Sequence, residues 1–176
     1  MRCNRVSVMV GAIVLTLVSN VAVAGEKLND ATILAIFDQA NSTDIYVGRL
    51  GAKYGHSEEV RGLGKMVATD HVAVQQMGRD LANKLNIIPT PPDDDTSIAE
   101  HAKSVALLRS KSGSEFDKAY LKHEIVFHQT VINAVKGTLL PAVKNGELRN
   151  LLNKVLPGFE HHLAATKTVA EKLGVE

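Results

Sequence analysis

Tryptophan is absent from this 176-residue chain, and aromatic residues make up only 4% of it. Little is left from which to build a stacking platform for bases or sugars. Charge of one sign is lacking too, with 20 Lys+Arg against 19 Asp+Glu. A near-neutral surface gives nucleic acid no electrostatic footing, so no nucleic-acid partner is expected. Only one cysteine is present, Cys3, and it lies in an N-terminal leader. Without it there can be no disulfide, no thiolate metal site and no cysteine nucleophile. No glycine-rich phosphate loop and no serine nucleophile in a recognisable motif is found either, which argues against the common hydrolytic and phosphoryl-transfer chemistries.

What the first 24 residues do contain is Arg2 and Arg5, an apolar run over 6–18, and AlaValAla at 22–24. This is the pattern of a secretory signal peptide cleaved after Ala24. An uncleaved membrane anchor is the alternative, but the run is short for a span and Asn20 interrupts its end. Cleavage would remove two arginines, leaving 18 basic against 19 acidic side chains and changing the formal charge from +1 to −1. The expected mature protein is one domain over 25–176, in the periplasm or cell envelope, with no transmembrane segment. Its oligomeric state is open.

Helical periodicity fills the rest. Asn29 or Asp30 can cap a helix to about Tyr54 with the seam Ile33, Phe37, Ala40, Asp44, Val47, Gly51, Tyr54. Ser57 caps a second to about Leu85, with His71 on its seam between Val67 and Val74. ProThrProPro at 89–92 cannot be helical, and a short helix is expected over 98–108. Ser114 starts a third long helix to about Leu139, with Tyr120, His128 and Ile132 inward. The last runs over 147–173 with Leu148, Leu152, Val155, Phe159, His162, Thr166, Val169 and Leu173 inward, and Pro157 is expected to kink it. No strand-like alternation interrupts these patterns. The expected fold is therefore all-α: a ferritin-like four-helix bundle with one long crossover that contains a short extra helix.

Each long helix carries one polar residue on its apolar seam: Asp44, His71, His128 and His162. At 1.5 Å per residue, all four can lie within about one turn of a common depth. A single inward histidine is commonly satisfied by a local carbonyl or carboxylate. Three with a carboxylate, one from each helix, point jointly to a metal site, because burying them without a common purpose costs several kcal/mol. Imidazole and carboxylate without thiolate suit zinc, copper, iron or manganese. Glu124, one turn before His128, and Asp70, beside His71, are candidate additional or outer ligands. His123 and His161 read as flank or surface residues, and His56 and His101 as solvated.

The chain resembles the bacterial secreted family called domain of unknown function 4142, whose members often carry an outer-membrane label. The similar segments include ThrAspIleTyrValGlyArgLeuGlyAlaLys at 43–53, MetValAlaThrAspHis at 66–71, SerGlySerGluPheAspLysAlaTyrLeu at 112–121 and LeuProGlyPheGluHisHisLeu at 156–163. The resemblance implies a ferritin-like bundle in the cell envelope and places the family's recurrent histidines on His71, His128 and His162. Asp44 stands where the family usually has glutamate. It supplies no activity. Ferritin-like di-iron enzymes use Glu-x-x-His on two helices, which these helices lack, so their chemistry is not carried over.

Two readings of function remain: an envelope protein holding one transition-metal ion through the seam histidines, or a metal-free structural module. In the second, the histidines form a hydrogen-bonded polar layer and an envelope protein is the partner. An enzymatic role ranks behind both.

Overall fold

The computed structural model describes residues 28–175, and the leader expected over 1–24 lies outside the described residues. Four long helices carry the structure: α1 (Asp30–Tyr54), α2 (Glu58–Leu85), α4 (Gly113–Ala134) and α6 (Gly146–Lys172). The shorter α3 (Ser97–Arg109) lies in the crossover between α2 and α4, as expected. No strand occurs among the described residues. No helix among them is long and apolar enough to cross a membrane.

Local chemistry sets the boundaries. The Asn29 side chain accepts from Thr32 N, Ser57 Oγ from Val60 N, and Asn145 Oδ1 from Glu147 N and Leu148 N. Each cap satisfies amides that the first helical turn leaves free, contributing about 1 kcal/mol. Asn86, in the left-handed region at φ 51°, ends α2. The expected start of α4 at Ser114 shifts to Gly113, with Ser112 in the cap position.

The end of α4 departs further from expectation. A π-helical turn, Val135–Leu139, follows it and leads into α5 (Leu140–Ala142). Pro141 has no amide to return to Gly137, and its ring would press on that carbonyl. The wider π turn, with Leu140 N bonded to Val135 O, lets the helical path continue past the proline. Pro157 lies within α6, which runs uninterrupted through it.

Two aspartates fix how the hairpins meet. Asp117, near the start of α4, accepts from His56 N and Ser57 N at 2.7 and 2.8 Å, in the α1–α2 turn. Asp30, at the start of α1, accepts from Lys144 N and Asn145 N at 2.9 and 3.0 Å, in the turn before α6. The two turns therefore sit at opposite ends of the bundle, and each long helix runs antiparallel to its neighbours. All four bonds are charge-assisted, stronger than those between neutral groups.

Two apolar layers fill the bundle ends. One gathers Ile33, Leu34, Phe37, Leu148, Leu152 and Phe159; the other Val47, Val60, Val67, Phe116, Tyr120 and Leu121. At roughly 1.5–3 kcal/mol for each large side chain removed from water, these layers dominate stability. Tyr54, expected inward, is 43% exposed instead, because α1 ends there at the turn. Within the second layer α1 and α2 approach closely. A Cβ at Gly64 would lie 2.5 Å from both Ala52 N and Gly48 O, so only glycine allows this spacing. That close approach brings Asp44 and His71 face to face.

Candidate metal centre

Asp44, His71, His128 and His162 meet between the layers, one from each long helix, with exposures of 0, 3, 1 and 3%. One ring nitrogen from each of the three histidines lies within 4.8 Å of the others. Asp44 Oδ2 is 2.9 Å from His71 Nε2 and 3.2 Å from His128 Nε2, and His71 Nε2 is 3.2 Å from His162 Nδ1. All four residues expected at the site are brought together. Asp44 touches His71 and His128, whereas His162 joins through His71.

The outward nitrogens determine what faces inward. Asn41 donates through Nδ2 to Phe37 O at 2.7 Å, which leaves its Oδ1 to accept from His71 Nδ1 at 2.8 Å. His128 Nδ1 donates to the Glu124 carbonyl at 3.0 Å. His162 Nε2 donates to Asp70 Oδ2 at 3.0 Å. With its one hydrogen committed outward, each neutral imidazole presents a lone pair to the centre: His71 Nε2, His128 Nε2 and His162 Nδ1.

The centre is thus a gathering of acceptors. Neither Asp44 oxygen has a hydrogen-bond partner, and neither does His128 Nε2. Asp44 Oδ2 and His71 Nε2 stand at an ion-pair distance of 2.9 Å. Lone pairs held 2.9–3.2 Å apart repel unless a positive centre lies among them. Such separations are near the roughly 3.3 Å expected between ligand atoms around an ion with bonds of about 2.0–2.1 Å. Neutral imidazole and ionised carboxylate are also the forms that bind metal. The donor set fits a borderline transition-metal ion.

The charges of these groups act on one another. Burial by itself would raise the Asp44 pKa, but His128 and then His71 outweigh it and hold the carboxyl below its usual range. Burial lowers His128 against the opposing pull of Asp44, and lowers His162 against that of Asp70. Glu124 behaves oppositely. Burial, reinforced by the charge of Asp44, pushes its carboxyl well up.

Phe159 lies parallel to His71 at 5.2 Å between ring centres and walls the site on the α6 side. A cavity of about 50 Å³ adjoins it, lined by Asn41, Asp44, His71 and His128 at one end and by Phe37 and Val135 among its apolar walls. That volume has room for water beside the polar groups. Val135 belongs to the π turn, which therefore shapes this cavity.

Some outer positions differ from expectation. Asp70 serves His162 across the bundle, not its neighbour His71, because adjacent helical residues point about 100° apart. His161 and His56 are exposed, as expected. His101 is half-buried with its edge to Tyr46, at 5.4 Å between ring centres. The Nε2 of His123 is buried without a partner, and burial pushes this residue's pKa down to about 4. Asn41 was not anticipated. Its position three residues before Asp44, one turn away on the same side of α1, is the signal that could have found it.

A family model described as Domain of unknown function (DUF4142) matches residues 18–169. The chain belongs to the DUF4142 family. No match is found among curated proteins or among solved structures. Membership in DUF4142 carries no assigned activity, so chemistry must come from the site itself.

Proposed function

We propose that this DUF4142 protein is an exported cell-envelope protein that holds one transition-metal ion between its helices. His71, His128 and His162 are the ligands, with Asp44 as the fourth or outer ligand. The observation that carries this reading is the convergence of three imidazole lone pairs and an unpartnered carboxylate in a buried layer. Zinc, copper(II), iron and manganese all accept such donors. Asn41, the Glu124 carbonyl and Asp70 fix the three rings from outside, as partners of ligating histidines commonly do. The signal-peptide pattern supports export to the periplasm. An ion-holding role needs no nucleophile, and none is apparent.

The contacts also favour a second reading, a metal-free polar layer in an envelope module that works through a protein partner. A doubly protonated His71 between Asp44 and His162 would be its centre. Titration of untagged, chelator-stripped protein with zinc and with copper(II) separates the two. Uptake at micromolar concentration or below, reduced at least a hundredfold by His128→Ala, is expected. A protein that binds neither ion at micromolar levels belongs to the second reading.

A further inference from the structure

Glu124 is not needed to hold an ion among the histidines, yet it is one of the most deeply buried side chains in the molecule, with 0% exposure. Its carboxyl lies with Asp44 and His128 in a second group whose ligand atoms are all within 4.8 Å of one another. Neither of its oxygens has a hydrogen-bond partner, so with Asp44 four buried carboxyl oxygens go unsatisfied in one place. Tyr120, one turn earlier on α4, is also fully buried, and its hydroxyl is unpartnered. A proton shared between the carboxyls would satisfy one contact and leave the other lone pairs without a donor. The cavity beside Asp44 and His128 has room for water, but neither Glu124 nor Tyr120 lines it.

From this convergence we infer that the Asp44–Glu124 carboxylate pair is a second cation position, distinct from the three-histidine centre and adjoining it through Asp44. This inference rests on the histidine-centre reading. His128 belongs to both groups, but its Nδ1 is committed to the Glu124 carbonyl. Its one free nitrogen serves the histidine centre, so the second ion rests on carboxylate oxygen. Oxygen donors select differently from imidazole: manganese(II), iron(II) and zinc suit them, and copper(I) does not. The pair is specific in its placement. Asp44 comes from α1 and Glu124 from α4, so an ion there ties the two hairpins together, as the capping aspartates do at the bundle ends. It also explains why the carboxyl of Glu124 points inward from a seam otherwise filled by Phe116, Tyr120, Leu121 and His128.

Equilibrium dialysis of the untagged full chain against zinc, with the metal counted per chain, tests this. Wild type should take up two zinc ions in two steps. Glu124→Gln, nearly isosteric and uncharged, should keep the first step and weaken the second at least tenfold. His162→Ala should weaken the first. Copper(II) loaded to two equivalents adds a readout independent of affinity: a half-field resonance from a coupled pair in wild type, lost in Glu124→Gln. Saturation of wild type at one zinc overturns the inference while leaving the histidine centre standing. So does a Glu124→Gln protein that still binds two. If that variant loses both ions while circular dichroism shows it folded, Glu124 is a ligand of a single site and the second position is refuted. A wild type that binds no metal removes the histidine centre, and the inference falls with it.

Discussion

The histidines of α2 and α6 and the carboxylates of α1 and α4 occupy one layer of the bundle, but they are provided for differently. His71 and His162 each have an outer oxygen to accept their ring hydrogen, from Asn41 and Asp70. Asp44 and Glu124 have nothing to accept from, although both are at 0% exposure. Donors in this layer are spent outward and acceptors accumulate inward. A balanced polar network would distribute them evenly, since a half-satisfied one is worse than an apolar core. The imbalance is what a cation site has when only its protein ligands are counted.

Asp44→Asn should break this comparison most strongly. The amide supplies hydrogens to the lone pairs of His71 and His128, so chelator-stripped protein should melt at a higher temperature than wild type. Ion affinity should fall by more than a hundredfold. A metal-free layer built on a protonated His71 predicts the opposite stability change, because that charge would lose its counterion at a cost of roughly 3–5 kcal/mol. Thermal melts with and without zinc distinguish the outcomes.

The two outer partners sharpen it. Asn41 is 1% exposed, whereas the Asp70 side chain is 51% exposed. Asn41→Ala strands a buried ring N–H and should cost about 1–3 kcal/mol of stability, besides weakening the ion. Asp70→Asn should lower ion affinity about 10–100-fold through loss of ring orientation, with stability nearly unchanged. Urea melts paired with zinc titration check both. Equal stability losses from the two variants would mean that their surroundings do not differ as described.

Most of the frame was legible in the residues because apolar seams and caps are local signals. Ser57 and Asn145 sit at helix starts where their side chains must cap, and the seams through Phe37, Val67 and Leu152 leave one arrangement of four helices. The four site residues were legible for a related reason: each is a single polar interruption of such a seam. Glu124 and Asn41 were harder, because nothing local says whether a polar residue beside the seam turns inward. Their burial depends on how near α1, α2 and α4 approach, which Gly48 and Gly64 permit between α1 and α2 and Gly51 permits against Tyr120 of α4. The π turn was missed because Pro141 reads as a stop, whereas the backbone passes it by widening one turn.

The smallest effect is on pH dependence. In ion-free protein His128, His162 and His123 have folded pKa values below the ordinary 6.5, the last at about 4. A depressed histidine favours the fold above 6.5, and that contribution is lost as pH falls through its folded value, since the unfolded chain binds the extra protons. Asp44, depressed below 3.8, acts in the same direction at still lower pH. Glu124, raised above 4.5, contributes at acid pH and loses that contribution as pH rises through its folded value. The melting temperature of ion-free protein should drop by on the order of 5 °C or more between pH 7 and pH 4. Glu124→Gln should raise it at pH 7. A flat profile over that range would mean that these histidines are not buried in neutral form.

The most direct test of the ion-holding claim is X-ray absorption at the metal edge of zinc-loaded protein after gel filtration. With one zinc loaded per chain, three imidazole nitrogens at about 2.0–2.1 Å, with Asp44 as a fourth ligand or outside them, are what this account requires. Zinc lost on the column, or retained with an oxygen-only shell and no imidazole scattering, would contradict it.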